Sequence, residues 1–184
     1  MNDDVRDYEA FLRGDNEGFE QIVCRYRENL IYFIYRYVKN LHLAEELAQD
    51  VFVELLLHKE RYNLTTNLKT YIFTIGRNKA VDYIRKHKKE QLFEEICEDY
   101  PASEREELVS RIVREEEKKL LYASLGRMKE EYQQAIYLTD FEELSYEEVG
   151  KVLHKTLPQV KVLIYRARKA LKKNMMQEGY VYEN

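Results

Sequence analysis

Residues 144–161 read Leu144-Ser145-Tyr146-Glu147-Glu148-Val149-Gly150-Lys151-Val152-Leu153-His154-Lys155-Thr156-Leu157-Pro158-Gln159-Val160-Lys161. Two helix starts are written into this stretch. Ser145-Tyr146-Glu147-Glu148 is a capping box: the Ser145 hydroxyl can accept the third helical N–H while Glu148 reaches back to the cap. Leu144 and Val149 flank it as a hydrophobic staple. Thr156-Leu157-Pro158-Gln159 repeats the device, with Pro158 in the first turn, where a missing N–H costs little. The pattern predicts a short helix over 146–153, a tight turn at His154-Lys155 and a second helix beyond it. Two helices joined by so short a turn form a helix-turn-helix.

The second helix has two distinct faces. Val160, Ile164, Ala167 and Leu171 recur at helical spacing and form the core stripe. Pro158, Lys161, Val162, Tyr165, Lys169 and Lys172 lie opposite, with Arg168 flanking. Lys151, Lys155, Lys161, Arg166, Arg168, Lys169, Lys172 and Lys173 fall within 151–173, and no acid interrupts them. In a helix-turn-helix such a face enters the major groove N-terminus first. An αα-hairpin with a solvated lysine-rich face is the alternative.

Working outward from this segment, the charges separate. The chain has 184 residues and a formal net charge of −4, which taken alone argues against a nucleic-acid partner. That average hides a pattern. Residues 1–88 are neutral overall, residues 89–117 carry 4 basic against 11 acidic side chains, and residues 118–184 are net +3. A second basic cluster comprises Arg77, Lys79, Arg85, Lys86, Lys88 and Lys89. The acidic middle, with Pro101-Ala102-Ser103, reads as a linker that is partly helical from about Glu104. A charged helix within a single domain is the alternative there.

Helical periodicity dominates the N-terminal half. An amphipathic stretch over 16–39 follows Asp15 or Asn16 as N-cap. A second helix over 43–60 places Ala44, Leu47, Ala48, Val51, Phe52 and Leu55 on one side. Its other side carries Glu46, Gln49 and Asp50 together with Val53 and Leu57. Apolar residues among acids on an outward face suit a protein-partner surface; a helix buried on both sides fits the pattern equally. A third helix spans about 68–88, behind the polar loop Arg61-Tyr62-Asn63-Leu64-Thr65-Thr66-Asn67. Tyr71, Phe73, Arg77, Asn78 and Lys79 mix rings, cations and amides, as single-stranded nucleic acid requires. Rings at helical spacing also suit a core.

Taken together, these segments resemble the extracytoplasmic-function group of the bacterial sigma-70 family of RNA polymerase sigma factors. The resemblance runs through Tyr8-Glu9-Ala10-Phe11, 32–38, 44–52, 68–78 and 82–86, then 144–149, Val160-Lys161 and 166–171. It implies an all-α chain of two small helical domains, 1–90 and 118–184, joined by an acidic linker at 91–117. It implies a cytoplasmic bacterial factor that binds core RNA polymerase, at the clamp coiled coil and the flap, and directs initiation at two-part promoters.

The roles it implies fall on particular residues. Glu46, Gln49, Asp50, Val53 and Leu57 would face core polymerase. Tyr62, Asn63, Asn67, Tyr71, Arg77, Asn78, Lys79, Arg85 and Lys86 would read the minus-ten element as single-stranded DNA. Thr156, Pro158, Gln159, Lys161, Val162, Tyr165, Arg166, Arg168 and Lys169 would read the minus-thirty-five element as duplex. An anti-sigma factor is a further expected partner. Three departures stand out: His154 occupies the turn position where the family usually has Gly, Val162 and Leu163 replace a polar pair, and the docking helix lacks the Trp that many relatives carry near Leu56.

Other classes fit less well. HExxH, CxxC, phosphate-loop and Gly-x-Ser-x-Gly patterns are missing, so neither an enzyme nor a cofactor, metal or small-molecule substrate is expected. Cys24 and Cys97 are too few for a disulfide framework. No apolar run approaches a membrane span, and no secretory leader opens the chain. Two alternatives remain at the level of sequence: a helix-turn-helix regulator acting without core polymerase, and a sigma-mimicking interaction module.

Overall fold

The structure is a computed structural model that describes residues 3–64, 66–87, 121 and 123–177. The proposed linker 91–117, with Lys88, Lys89 and Cys97, lies outside those residues. The described residues are helical, without strands, and the chain divides into two compact units.

The first unit contains α1 (Asp3–Leu12), α2 (Asn16–Val38), α3 (Leu41–Leu57), a 3-10 turn (Lys59–Arg61) and α4 (Leu68–His87). Gly14, at φ 94°, turns the chain between α1 and α2, and Asp15 caps α2 by accepting the Glu17 N–H at 2.9 Å. Lys39, at φ 56°, closes α2 in left-handed backbone. Asn40 then caps α3, accepting the Leu43 N–H at 2.9 Å. The predicted second helix therefore starts slightly earlier than 43 and ends before 60, where the 3-10 turn takes over.

Helix α2 is the hub of this unit, with α1, α3 and α4 packed against it. Tyr26, Leu30, Phe33 and Ile34 of α2 meet Tyr8 and Phe11 of α1, Val51 and Leu55 of α3, and Ile72 and Phe73 of α4 in the buried core. The crossing of α1 over α2 depends on Gly18. A Cβ there would sit 2.3 Å from the Asp7 carbonyl oxygen, closer than any side chain tolerates.

A charged cluster also fastens α1 to α2. Arg25 bridges Asp4 at 2.6 Å and Asp7 at 2.5 Å, and the Tyr26 hydroxyl donates to Asp4 at 2.6 Å. Burial pushes the Asp7 carboxyl up, but the hydrogen bonds and charges of Arg25 and Arg6 outweigh it and hold the group below its ordinary range.

The second unit contains a helical segment ending at Gly126, then α5 (Glu130–Ile136), a π turn (Tyr137–Phe141), α6 (Tyr146–Leu153) and α7 (Leu157–Gln177). Buried Gln133 donates to the Met128 carbonyl at 2.6 Å, tying the start of α5 to the chain before it. Helix α5 packs along α7. Ala135, Ile136, Leu138, Val149, Val160, Ile164 and Ala167 are all buried.

Candidate nucleic-acid interface

The helix-turn-helix forms where the two capping boxes place it. At the first box, the Ser145 N–H donates to Glu148 Oε2 at 2.8 Å and the Glu148 N–H donates to Ser145 Oγ at 3.3 Å. At the second, the Thr156 N–H donates to Gln159 Oε1 at 2.9 Å, so one end of Gln159 serves the cap. Between them His154 stands at φ 53°, the left-handed conformation that glycine usually supplies. The Lys155 N–H donates to the Gly150 carbonyl at 2.9 Å, closing a Schellman-type end. Sequence reading placed the missing glycine at 154 and overlooked the one at 150. A Cβ on Gly150 would lie 2.7 Å from the Lys155 carbonyl oxygen, so Gly150 is what lets the turn fold back.

Helix α7 presents a mixed cationic and apolar face. Thr156, Pro158, Gln159, Lys161, Val162, Tyr165, Arg166 and Lys169 are exposed. Val162 is 48% exposed and Tyr165 69%. Leu163 differs from its neighbour: it is buried, so only one of the two apolar replacements faces outward. Leu171, expected in the core stripe, is half-buried.

Arg168 needs a correction. Its Nη2 pairs with Asp140 Oδ1, and its Nε donates to Asp140 Oδ2 at 3.3 Å. This bidentate bond, more than nearby charge, raises the Arg168 pKa above its ordinary value. Arg168 ties α7 to the π turn and is not an uncommitted contact for phosphate. Asp140 was invisible to sequence reading, because it lies 28 positions before Arg168 and only the folded unit brings the two together.

In the first unit, α3 carries its buried face as predicted, on Ala44, Leu47, Ala48, Val51, Phe52 and Leu55. The two readings of its other face are now separated. Val53 is 50% exposed and Leu57 70%, and Glu46, Gln49 and Asp50 are exposed beside them. Leu56 is exposed as well. His42 reaches Glu46 at 3.4 Å, one turn away.

The loop before α4 is held from inside. Tyr62 is 5% exposed, and its ring packs edge-on against Tyr8 at 4.7 Å and against Tyr71 at 5.2 Å. Its hydroxyl donates to the Thr66 carbonyl. Burial, with Asp4 nearby, pushes its pKa up to about 12, so it keeps the proton it donates. Tyr62 is therefore a core strut of the loop, not a ring offered to a base. Tyr8, in α1, donates to the Lys59 carbonyl at 2.7 Å and holds the other end.

Lys79 also turns inward. Its ammonium lies 2.9 Å from Glu54 of α3, which places it in a helix-to-helix ion pair. Asn63, Asn67 and Asn78 are exposed, and Tyr71 and Arg77 are half-exposed. Asn67 caps α4 through a 2.9 Å bond from the Lys69 N–H. Arg85 and Lys86 are exposed in the last turn of α4, where cations also complement the helix dipole.

The helix-turn-helix, with its cationic outward helix, is the architecture of a DNA-binding transcription factor. Residues 22–90 match the Sigma-70 region 2 family, and residues 118–171 match the Sigma-70, region 4 family. RNA polymerase sigma factor YlaC of Bacillus subtilis (strain 168) is 30% identical over 164 residues, covering 86% of this chain and 92% of its own. ECF RNA polymerase sigma factor SigW of the same organism is 26% identical over 171 residues, covering 89% and 91%. Two solved structures share the fold at 22% identity and a TM-score of 0.66. One is the sigma factor RpoE in complex with the anti-sigma factor NepR from Bartonella quintana, covering 86% of this chain and 96% of that one. The other is CnrH in complex with the cytosolic domain of CnrY, covering 94% and 96%. The chain belongs to the extracytoplasmic-function group of the sigma-70 family, and it is an alternative sigma factor that directs promoter-specific transcription initiation with core RNA polymerase.

Proposed function

We propose that the work of this sigma factor divides among three surfaces. The outward face of α3, with Glu46, Gln49, Asp50, Val53 and Leu57, docks on core polymerase. The loop before α4 and the exposed side of that helix, with Asn63, Asn67, Tyr71, Arg77, Asn78, Arg85 and Lys86, engage the minus-ten element as single-stranded DNA. Helix α7, with Lys161, Val162, Tyr165, Arg166 and Lys169, reads the minus-thirty-five element as duplex, while Thr156, Pro158 and Gln159 sit at its entering end. The domains run over 1–90 and 118–184, with 91–117 as an acidic linker.

The observation that carries this reading is the exposure of Val53 and Leu57 on a helix whose other face is fully committed to the core. Large apolar side chains ringed by carboxylates are costly to leave in water and mark a surface made for a protein. A regulator acting on DNA alone has no use for such a helix.

The protein is a binding factor without chemistry of its own, acting in the bacterial cytoplasm. Among the described residues no helix is long and apolar enough to cross a membrane. One solved neighbour is a sigma factor in complex with an anti-sigma factor, and an anti-sigma partner belongs to the reading. The test pairs protein and promoter substitutions. Asn63→Ala with Asn67→Ala should weaken discrimination of minus-ten bases only, and Lys161→Ala should weaken binding through the upstream duplex only. Loss of both together, or of neither, overturns the division of labour.

A further inference from the structure

We infer that Val162 reads the 5-methyl group of a thymine in the upstream duplex element, making this factor's minus-thirty-five preference depend on a methyl contact. The inference rests on α7 being the helix that reads that element.

Val162 and Leu163 are adjacent in sequence and opposite in fate. Leu163 is 6% exposed, buried like Val160, Ile164 and Ala167, whereas Val162 is 48% exposed. Pro158 precedes Val162 by one turn, and Tyr165 follows it by nearly one. At i, i+4 and i+7 these three form one line along the first turns of α7. Those turns are the part of a recognition helix that reaches base edges. Exposed Lys161 and Arg166 border the line on either side, Lys169 continues it one turn further, and no acid occurs from 151 to 173.

That arrangement fits one occupant. Cations on either side suit the phosphate walls of a major groove. Between them, at the centre of the line, Val162 can neither donate nor accept, and the Tyr165 hydroxyl lies beyond it toward the C-terminus. The thymine methyl is the apolar group that base pairs present in the major groove. Against the amino group of adenine or cytosine, Val162 would exclude water and return no hydrogen bond, which penalises those bases. A side chain of this kind discriminates by what it leaves unpaired as well as by what it touches.

The experiment uses holoenzyme, the full chain with core polymerase, on the promoter duplex that it selects. Each thymine of the upstream element, on both strands, is replaced singly by deoxyuridine, which removes the methyl and keeps the pairing edge. The expected result is about a fourfold loss of affinity at one position, the value of one methyl taken out of water. In Val162→Ala that penalty should fall to none, while penalties elsewhere persist. A penalty that survives in Val162→Ala, or no penalty at any thymine, overturns the inference while upstream binding itself stands. If Val162→Ala leaves DNA affinity unchanged, the line serves a protein and the inference is likewise wrong. If Lys161→Ala leaves upstream binding intact, the assignment of α7 has failed and the inference falls with it.

Discussion

At His154 the chain carries a Cβ into left-handed backbone, where steric contact with the carbonyl costs about 1 kcal/mol. The Schellman-type bond from Lys155 to Gly150 holds it there. His154→Gly should therefore raise the thermal midpoint slightly, and Gly150→Ala should lower stability by about 1–3 kcal/mol, because its new Cβ meets backbone that cannot yield. Paired thermal melts check both. Arg168 and Lys169 form a second contrast at this scale. Lys169→Ala should reduce the salt slope of promoter binding by about one ion, whereas Arg168→Ala should not, because its charge is already spent on Asp140. A titration of affinity against salt separates them. The lysine's outward position could be read from a helical wheel. The arginine's could not, since its partner sits 28 positions earlier on a π turn.

Among the elements, α3 and α1 make the clearest claims. The buried side of α3 was legible in full, because apolar residues at helical spacing leave one solution for a core-facing stripe. Its outer side was not. Periodicity cannot say whether a second apolar edge is buried inside the bundle, and the exposure of Val53 and Leu57 shows that this one is not. Val53→Ala with Leu57→Ala should leave folding within about 0.5 kcal/mol and weaken core-polymerase binding about tenfold or more, read by titration against core enzyme.

Helix α1 was legible only as a short motif, since its anchoring is polar and distant in sequence. The bonds from Asp4 and Asp7 to Arg25 and Tyr26 need both helices in place. They give a pH prediction. Asp7 is held below its ordinary value in the folded chain, so folding is favoured by its charge above about pH 4, and that contribution drains away as the pH falls through the folded value. Asp7→Asn should flatten the acid limb of the stability curve below about pH 4, as followed by circular dichroism. The same polar logic buries Tyr62 and engages Lys79 in an ion pair. An aromatic beside Asn in a loop and a lysine in a basic cluster look like nucleic-acid contacts, yet Tyr8, Thr66 and Glu54 claim them.

For the whole molecule, the central claim is that a single chain couples polymerase docking to promoter choice. The two family matches cover both helical units in the order a sigma factor requires. The net charge of −4 is the sum of basic faces and an acidic middle, and the basic faces are the ones proposed to meet DNA. The most direct measurement is multi-round transcription in vitro with purified core RNA polymerase, this protein and a library of genomic fragments. The account predicts a new set of start sites that requires the protein, shares a two-part upstream sequence, and disappears both with Val53→Ala plus Leu57→Ala and with Lys161→Ala. Start sites identical with and without the protein, or new sites untouched by the α3 substitutions, would contradict it.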